Sequence, residues 1–248
     1  MEFDLSQIKL SYNDITRCLT LPTKPSEDLA EFIGILTGDG YINCNNNKNS
    51  YVIDIAGDKN LDKEYLEVYV KKLIKDLFNI NCKIYYKKHQ NTICVRVLSK
   101  GLYNYLLLIG FKSGKKEQIG IPNWIVETNK LMIPFIKGLI DTDGSLMLTK
   151  KPSKKSEFYP IISIKVKSKI LVLQTGAFLQ KYGFRVNIIE DELRIDKRGY
   201  KNSLISSVIL SGRKNLDLWM TQINFRNKRH LNKYMYYVKS IKNGDGGI

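Results

Sequence analysis

Two nine-residue runs constrain this chain more than any other feature: Phe32 to Gly40 reads FIGILTGDG, and Ile136 to Gly144 reads IKGLIDTDG. Each is mostly apolar, has glycine at its third position and closes on an acid and a glycine. The apolar spacing, Phe32, Ile33 and Leu36 in one and Ile136, Leu139 and Ile140 in the other, predicts a buried helical face that stops at Gly40 or Gly144. A carboxylate at the negative end of a helix costs up to ~1 kcal/mol, so positive charge is expected beside Asp39 and Asp143. Gly34 and Gly38 lie four apart, as do Gly138 and Thr142, and small residues at that spacing let two helix backbones approach closely. If the copies pack on each other, Asp39 and Asp143 end up side by side. Adjacent carboxylates raise one another's pKa unless divalent cations hold them ionised, so the two runs predict a metal site.

Charge points to the partner. Forty basic residues against twenty-four acidic give a formal net charge of +16, which suggests a polyanion, with nucleic acid first. The competing reading is a solvated surface in a chain biased toward Lys, Asn, Ile and Tyr. At 248 residues, 43% hydrophobic, and with a mean hydropathy of −0.25, the chain reads as soluble and globular, with room for one large domain or two ordinary ones. No apolar run approaches the ~18 residues of a membrane span, and MEFDLSQIKL lacks the marks of a signal peptide. An intracellular protein without a membrane partner is expected, its compartment, cytoplasmic or organellar, left open. Cys18, Cys44, Cys82 and Cys94 form no CxxC pair, and only His89 and His230 accompany them, so free thiols are expected rather than a structural zinc site.

Along the chain, residues 1–25 suggest a short helix or arm closed by Pro22 and Pro25. Ser26 then offers an N-cap to the first motif helix. Tyr41 to Asn49 reads as a loop or hairpin and Tyr51 to Ala56 as a strand. Asp62 to Phe78 has the apolar spacing of an amphipathic helix, and Lys83 to Lys88 and Ile93 to Leu98 alternate like paired strands with a turn at His89 to Asn91. Gly101 to Ile109 reads as a helix and Lys112 to Lys116 as a basic loop.

The second half repeats the first. The motifs are 104 positions apart (144 − 40), and Asn79 falls on Gly183 at the same offset (183 − 79). Leu98 falls on Leu210 (210 − 98 = 112) and Phe111 on Phe225 (225 − 111 = 114), which makes the second hairpin longer by eight residues (112 − 104). The expectation is an α+β fold of two αββαββα halves, about residues 1–125 and 126–248, related by a pseudo-two-fold axis. Each half contributes a curved antiparallel sheet to one basic saddle for DNA. The residues expected on its face are Lys83, Tyr85, Lys87 and Arg96 in the first half, and Lys165, Lys167, Arg185, Arg194 and Lys197 in the second. A two-stranded ribbon fits the major groove, although most such contacts go to phosphates rather than bases.

Both motifs resemble the LAGLIDADG signature, and from about Ser26 to Tyr237 the plan is similar to a single-chain, two-repeat LAGLIDADG homing endonuclease. The resemblance implies a site-specific double-strand DNA endonuclease, monomeric and intron-encoded, that hydrolyses phosphodiesters with Mg²⁺, Mn²⁺ or Ca²⁺ substituting in binding. It places the metal ligands at Asp39 and Asp143, with the carbonyls of Gly38 and Thr142 as accessory ligands. The basic catalytic residue would be Lys115 or Lys116 in KSGKKEQIGIP, and Lys228 in NFRNKRHLNK. At the sixth motif position Asp141 follows the pattern and Thr37 departs from it. Where the family often places a glutamine to position water, this chain has Ala56 and Gly57 in one half and Lys165 and Val166 in the other, so the water-positioning groups stay unassigned.

Simpler readings stand beside these. An Asp-Gly pair is a common turn, the three lysines are equally readable as phosphate or solvent contacts, and Tyr234, Tyr236 and Tyr237 read as packing. The alternative function is an intron RNA maturase with the same fold, which would bind a group I intron and cut little or no DNA; two retained acids argue against it. An intein-borne endonuclease is disfavoured by the Met1 start and the NGDGGI end, and a transcription regulator by the lack of room for an added DNA-binding domain.

Overall fold

A computed structural model describes residues 1–45, 47, 49–114, 116–151, 154–195 and 202–244. The chain forms two compact units, Met1–Lys115 with Ile121–Thr142, and Lys116–Gly120 with Asp143–Ile248. In the first, α1 (Tyr12–Thr16) precedes α2 (Glu27–Asp39), β1 (Gly40–Asn45) and β2 (Ser50–Asp58). A π-helical segment (Tyr65–Val70) runs into α3 (Lys71–Phe78), followed by β3 (Lys83–Tyr86), β4 (Thr92–Leu98), α4 (Lys100–Leu108) and α5 (Asn123–Val126). Helix α6 (Asn129–Asp143) ends on the residue that opens the second unit. There, β5 (Gly144–Lys151) and β6 (Lys154–Val166) lead to α7 (Lys169–Lys181), β7 (Val186–Arg194), β8 (Ser203–Ser211), α8 (Arg213–Gln222) and α9 (Lys228–Gly244).

The sheets are antiparallel, ordered β1-β2-β4-β3 and β5-β6-β8-β7. The same order twice, each time in the sequence helix, two strands, helix, two strands, helix, is the α+β duplication expected from the motifs. Helix α9 is an addition to it and packs on β5 and β6.

Alternation decides which face of each sheet is buried. Ile53, Ile55, Ile93, Val95 and Val97 are buried where α2, α4 and the π-helical segment pack on the sheet, and Ile162, Ile164, Val208 and Leu210 where α7 and α8 do in the second unit. Phe32, Phe78 and Tyr105 meet edge to face in the first core, and Trp219 packs on Phe184 and Phe225 in the second. Left-handed Asn79 (φ 52°) and Gly183 (φ 86°) end the helices that precede β3 and β7, which supports their equivalence.

The pairing corrects one detail. Gly40 pairs with Ile55 and Gly144 with Ile164; beyond them Ile53 pairs with Val97 and Ile162 with Leu210. Leu210 therefore corresponds to Val97 (210 − 97 = 113) rather than to Leu98. Both are buried, whereas Leu98 is 42% exposed on the opposite face, as a one-residue slip requires. A second difference is the π-helical start of the helix over Asp62 to Phe78. The wider turn keeps Tyr65 and Val70, five apart, both buried.

Asp14 ties the N-terminal segment to this core. It is fully buried and accepts from the Ser11 N–H (3.0 Å) and hydroxyl (2.6 Å), the Ser99 hydroxyl (2.6 Å) and the Gly101 N–H (3.0 Å) at the start of α4. Burial pushes its pKa up, but these hydrogen bonds outweigh burial and hold it below the ordinary carboxylate value. A depressed pKa stabilises the fold above the unfolded value and loses that contribution as pH falls through the folded value. We expect Asp14→Ala to cost about 3 kcal/mol at pH 7. In denaturant melts the gap from the native protein should narrow below about pH 4; a gap independent of pH would contradict this role.

Candidate functional site

Both motifs form helices that end on their acids. Ser26 caps α2 by accepting the Leu29 N–H, and the chain turns at Gly40 straight into β1. A side chain at Gly40 would strike the Leu36 carbonyl, which explains glycine there without a left-handed backbone. Within the first unit, α2 and α6 cross at Gly34 and Gly138. A Cβ on Gly34 would meet the Phe135 carbonyl oxygen and, at 3.1 Å, the Leu139 nitrogen; a Cβ on Gly138 would meet the Glu31 carbonyl oxygen and, at 2.9 Å, the Ile35 nitrogen. These contacts are the same contact twice, each residue shifted by 104 (135 − 31, 138 − 34, 139 − 35). The crossing is therefore locally two-fold symmetric.

Asp39 and Asp143 each follow their crossing glycine by five residues (39 − 34, 143 − 138), close to 1.5 turns of helix. Both are half-buried, and neither helix has a basic residue in its last turn. Thr37 and Asp141, at equivalent positions, are both buried; the Thr37 hydroxyl donates to the Ile33 carbonyl at 2.7 Å. The Thr142 hydroxyl turns back onto the Gly138 (2.9 Å) and Leu139 (3.1 Å) carbonyls.

Of the candidate lysines, Lys228 is exposed at the start of α9, where Asn227 accepts the Arg229 N–H (3.0 Å). The Arg229 guanidinium lies 3.4 Å from the Gly144 carbonyl oxygen, directly after Asp143, and 3.2 Å from His230 Nε2. Sequence reading passed over Arg229; the helix start at Asn227, which turns consecutive residues 100° apart, was the available signal. The Lys116 backbone begins a 3₁₀ turn, Lys116–Gln118, and Lys115 lies outside the described residues.

Of the residues expected on the first sheet, Lys83, Tyr85 and Arg96 lie on strands, on the face opposite the apolar core. Lys83, Arg96, Asp54 and Tyr41 stand in one cross-strand row, with Tyr85, Cys94 and Ala56 in the next, and Lys87 is exposed just past β3. Asp54 is the surprise. Its carboxylate takes two hydrogen bonds from Arg96, Nε at 2.7 Å and Nη2 at 2.5 Å, while Tyr85 donates to it at 3.1 Å and lies under the guanidinium, 4.6 Å from the ring centre. The pair keeps Arg96 charged, raising its pKa through the Asp54 hydrogen bonds, and burial raises that of Tyr85. Arg96 is thus fixed in direction and largely neutralised, while Lys83 makes no ion pair among the described residues. Tyr41, Asn43 and Asn45 also line this face on β1, the first strand of the hairpin that is one of the two sequence readings of this stretch; their alternation with Ile42 and Cys44 is the signal for it.

On the second sheet, Lys165 pairs with Ser207 and Arg194 with Ser203, and both point away from the core. Lys167, past the end of β6, makes a 3.8 Å ion pair with Glu117. Exposed Arg185 immediately precedes β7, where Asn215 clasps its backbone N–H (3.0 Å) and carbonyl (2.8 Å). Lys197 lies outside the described residues. The sheets are unequal: Lys165 occupies the register position of Ala56, and Ser163 with Ile209 that of Asp54 with Arg96. Among the described residues, no three His, Cys, Asp or Glu side chains gather into a set able to hold a metal, and no helix is long and apolar enough to cross a membrane.

No family model matches the sequence. An uncharacterized protein of Methanocaldococcus jannaschii is 32% identical over 182 residues, 71% of this chain and 62% of that protein. The replication factor C small subunit of the same organism is 25% identical over 215 residues, 86% of this chain and 10% of its own length. The match thus spans under two thirds of either relative. Among solved structures, I-DmoI in complex with DNA and Mn aligns with a TM-score of 0.52 at 21% identity, over 80% of this chain and 96% of that one. The homing endonuclease I-WcaI bound to its DNA recognition sequence gives 0.53 at 15%, over 84% and 86%. I-SmaMI bound to uncleaved DNA target with calcium ions gives 0.52 at 12%, over 90% and 92%. With its motif helices crossing glycine to glycine and the same four-stranded sheet built twice, the chain has the fold of the single-chain, two-repeat LAGLIDADG homing endonucleases.

Proposed function

We propose that this protein is a site-specific, divalent-metal-dependent DNA endonuclease of the homing type, intron-encoded and active as a monomer, that cuts both strands of a long asymmetric duplex target. The observation that carries the reading is the repeated motif helix, with the same glycine contact and an acid five residues beyond it in each copy. Solved proteins of this fold are held with DNA and Mn or calcium ions, in keeping with it.

The donor set fits Mg²⁺. Asp39 and Asp143, with the carbonyls of Gly38 and Thr142, are hard oxygen ligands at helix ends where the backbone is itself partly negative. Mg²⁺ is ordinarily bound by one or two carboxylates, the remaining positions going to water and substrate phosphate, so a full cage of side chains is not required. When bound, the ion polarises a phosphoryl oxygen and lowers the pKa of water. The chain's own residues do the rest. Arg229 and Lys228 in the second half, and Lys115 or Lys116 in the first, supply cationic donors for charge developing on the phosphate. The outer faces of the sheets hold the duplex: Lys83, Lys87, Lys165, Arg185, Arg194 and Lys197 neutralise phosphates, and Arg96, aimed by Asp54, suits a base edge.

Incubating supercoiled plasmids that carry randomised inserts with Mg²⁺ should produce linear DNA, and EDTA should stop the reaction while leaving duplex binding measurable. Binding of group I intron RNA without any linear product would replace the reading with that of a maturase.

A further inference from the structure

A cavity of about 380 Å³ opens at the edge of the first sheet, and its wall is basic. Arg17 enters from the segment after α1, Lys75 and Asn79 from the end of α3, Asn81 and Lys83 from the start of β3, and Arg96 from β4. No carboxylate belongs to this wall, and among the described residues Arg96 is the one cation in it that is bonded to an acid, Asp54.

The wall is built rather than incidental. Arg17 donates one N–H to the Leu98 carbonyl at 3.0 Å, and Lys75 reaches Asn79 Oδ1 at 2.8 Å. Asn79, left-handed at φ 52°, in turn donates its amide to the Cys18 carbonyl at 3.0 Å, which ties α3 to the segment bearing Arg17. Both cationic heads are held in place with N–H groups to spare, since a guanidinium has five and an ammonium three. Burial beside the cavity pushes the Cys82 thiol up to about 12, so that group adds no negative charge.

Lys83 and Arg96 belong both to this wall and to the outer face of the sheet, so the cavity continues that face around its edge strand β3. We infer that the cavity is a phosphate site, taking backbone phosphates of the DNA strand as it leaves the sheet, with Arg17 and Lys75 as the residues that extend the footprint. The inference rests on the proposed DNA reading for its ligand. Contacts of this kind position a duplex without reading its sequence.

The test is equilibrium binding of labelled duplexes in Ca²⁺ between about 50 and 200 mM salt. For an Arg17→Ala/Lys75→Ala variant, the slope of log K against log salt should fall in magnitude by about 2, and for Lys75→Gln by about 1, with sequence preference unchanged. Lys75 is exposed, so Lys75→Gln decides the matter should the double variant fail to fold. Wild-type slopes in both variants would overturn the site. A long duplex that separates the variants from the native protein, alongside a short one that does not, supports flanking DNA as the source. Saturable binding of inorganic phosphate that the variants lose, with an unaltered duplex slope, overturns that source in favour of a free phosphate. A protein that cuts no DNA yet shows the slope change keeps this inference and loses the nuclease reading.

Discussion

Asp39→Asn and Asp143→Asn are each expected to abolish double-strand cleavage while leaving duplex binding in Ca²⁺ intact. Asparagine keeps the size of the side chain and one oxygen, but removes the charge that, on the proposed reading, would hold a divalent ion at a helix end already carrying partial negative charge. Losing an ion that would stabilise the developing phosphate charge is expected to lower the cutting rate on the order of 10³-fold or more, the loss seen for one such stabilising group. The proposed reading places affinity instead on the exposed lysines and arginines of the outer sheet faces, so the salt dependence of binding should not change. Thr37 stands where Asp141 does, and Ala56 where Lys165 does, so the two acids sit in unequal surroundings. The single variants should accordingly differ in which strand is still nicked. Full cleavage by either one would remove the metal assignment.

Gly34→Ala and Gly138→Ala are expected to be the most destabilising small substitutions in the first unit. Each added methyl would be driven into a backbone carbonyl of the facing helix, with a backbone nitrogen close behind. Overpacking normally costs about 1–3 kcal/mol because side chains can shift, and here the obstacle is main chain inside a helix, so the upper end applies. For a chain of this length about 3 kcal/mol lowers Tm by roughly 10 °C. Calorimetry or a denaturant melt reads this directly, and native stability in either variant would contradict the crossing. The same substitutions should also impair cleavage, because α2 and α6 carry Asp39 and Asp143.

The parts of this architecture that follow from periodicity were legible in the sequence. The motif helices, the strand pairs and the duplication all rest on apolar spacing, and the left-handed Asn79 and Gly183 fell at the same offset as the motifs. Register was harder. Leu98 and Leu210 look equivalent as letters, yet only the ladder shows that Leu98 faces outward while Leu210, like Val97, faces the core. The glycine crossing of the two motif helices was legible from their small-residue spacing, but side-chain pairs between residues distant in sequence were not. Asp54 and Arg96 are 42 positions apart and meet only because β2 pairs with β4 in one register. Arg229 reaches Gly144 across 85 positions, which made Lys228 beside it the natural choice from sequence. Tyr41 to Asn49 reads as a loop or a hairpin from sequence, because asparagines disfavour strands, and the pairing of Tyr41 to Asn45 with Ser50 to Asp54 decides for the hairpin.

The central claim is cleavage of duplex DNA at a defined long sequence, and selection from a randomised duplex library tests it most directly. The protein is incubated with the library in Mg²⁺, the cut ends are captured, and their sequences are aligned. The account predicts double-strand breaks that share one long asymmetric sequence, disappear with EDTA, and are absent for Asp39→Asn and Asp143→Asn. An uncut library, or breaks without a shared sequence, would contradict it.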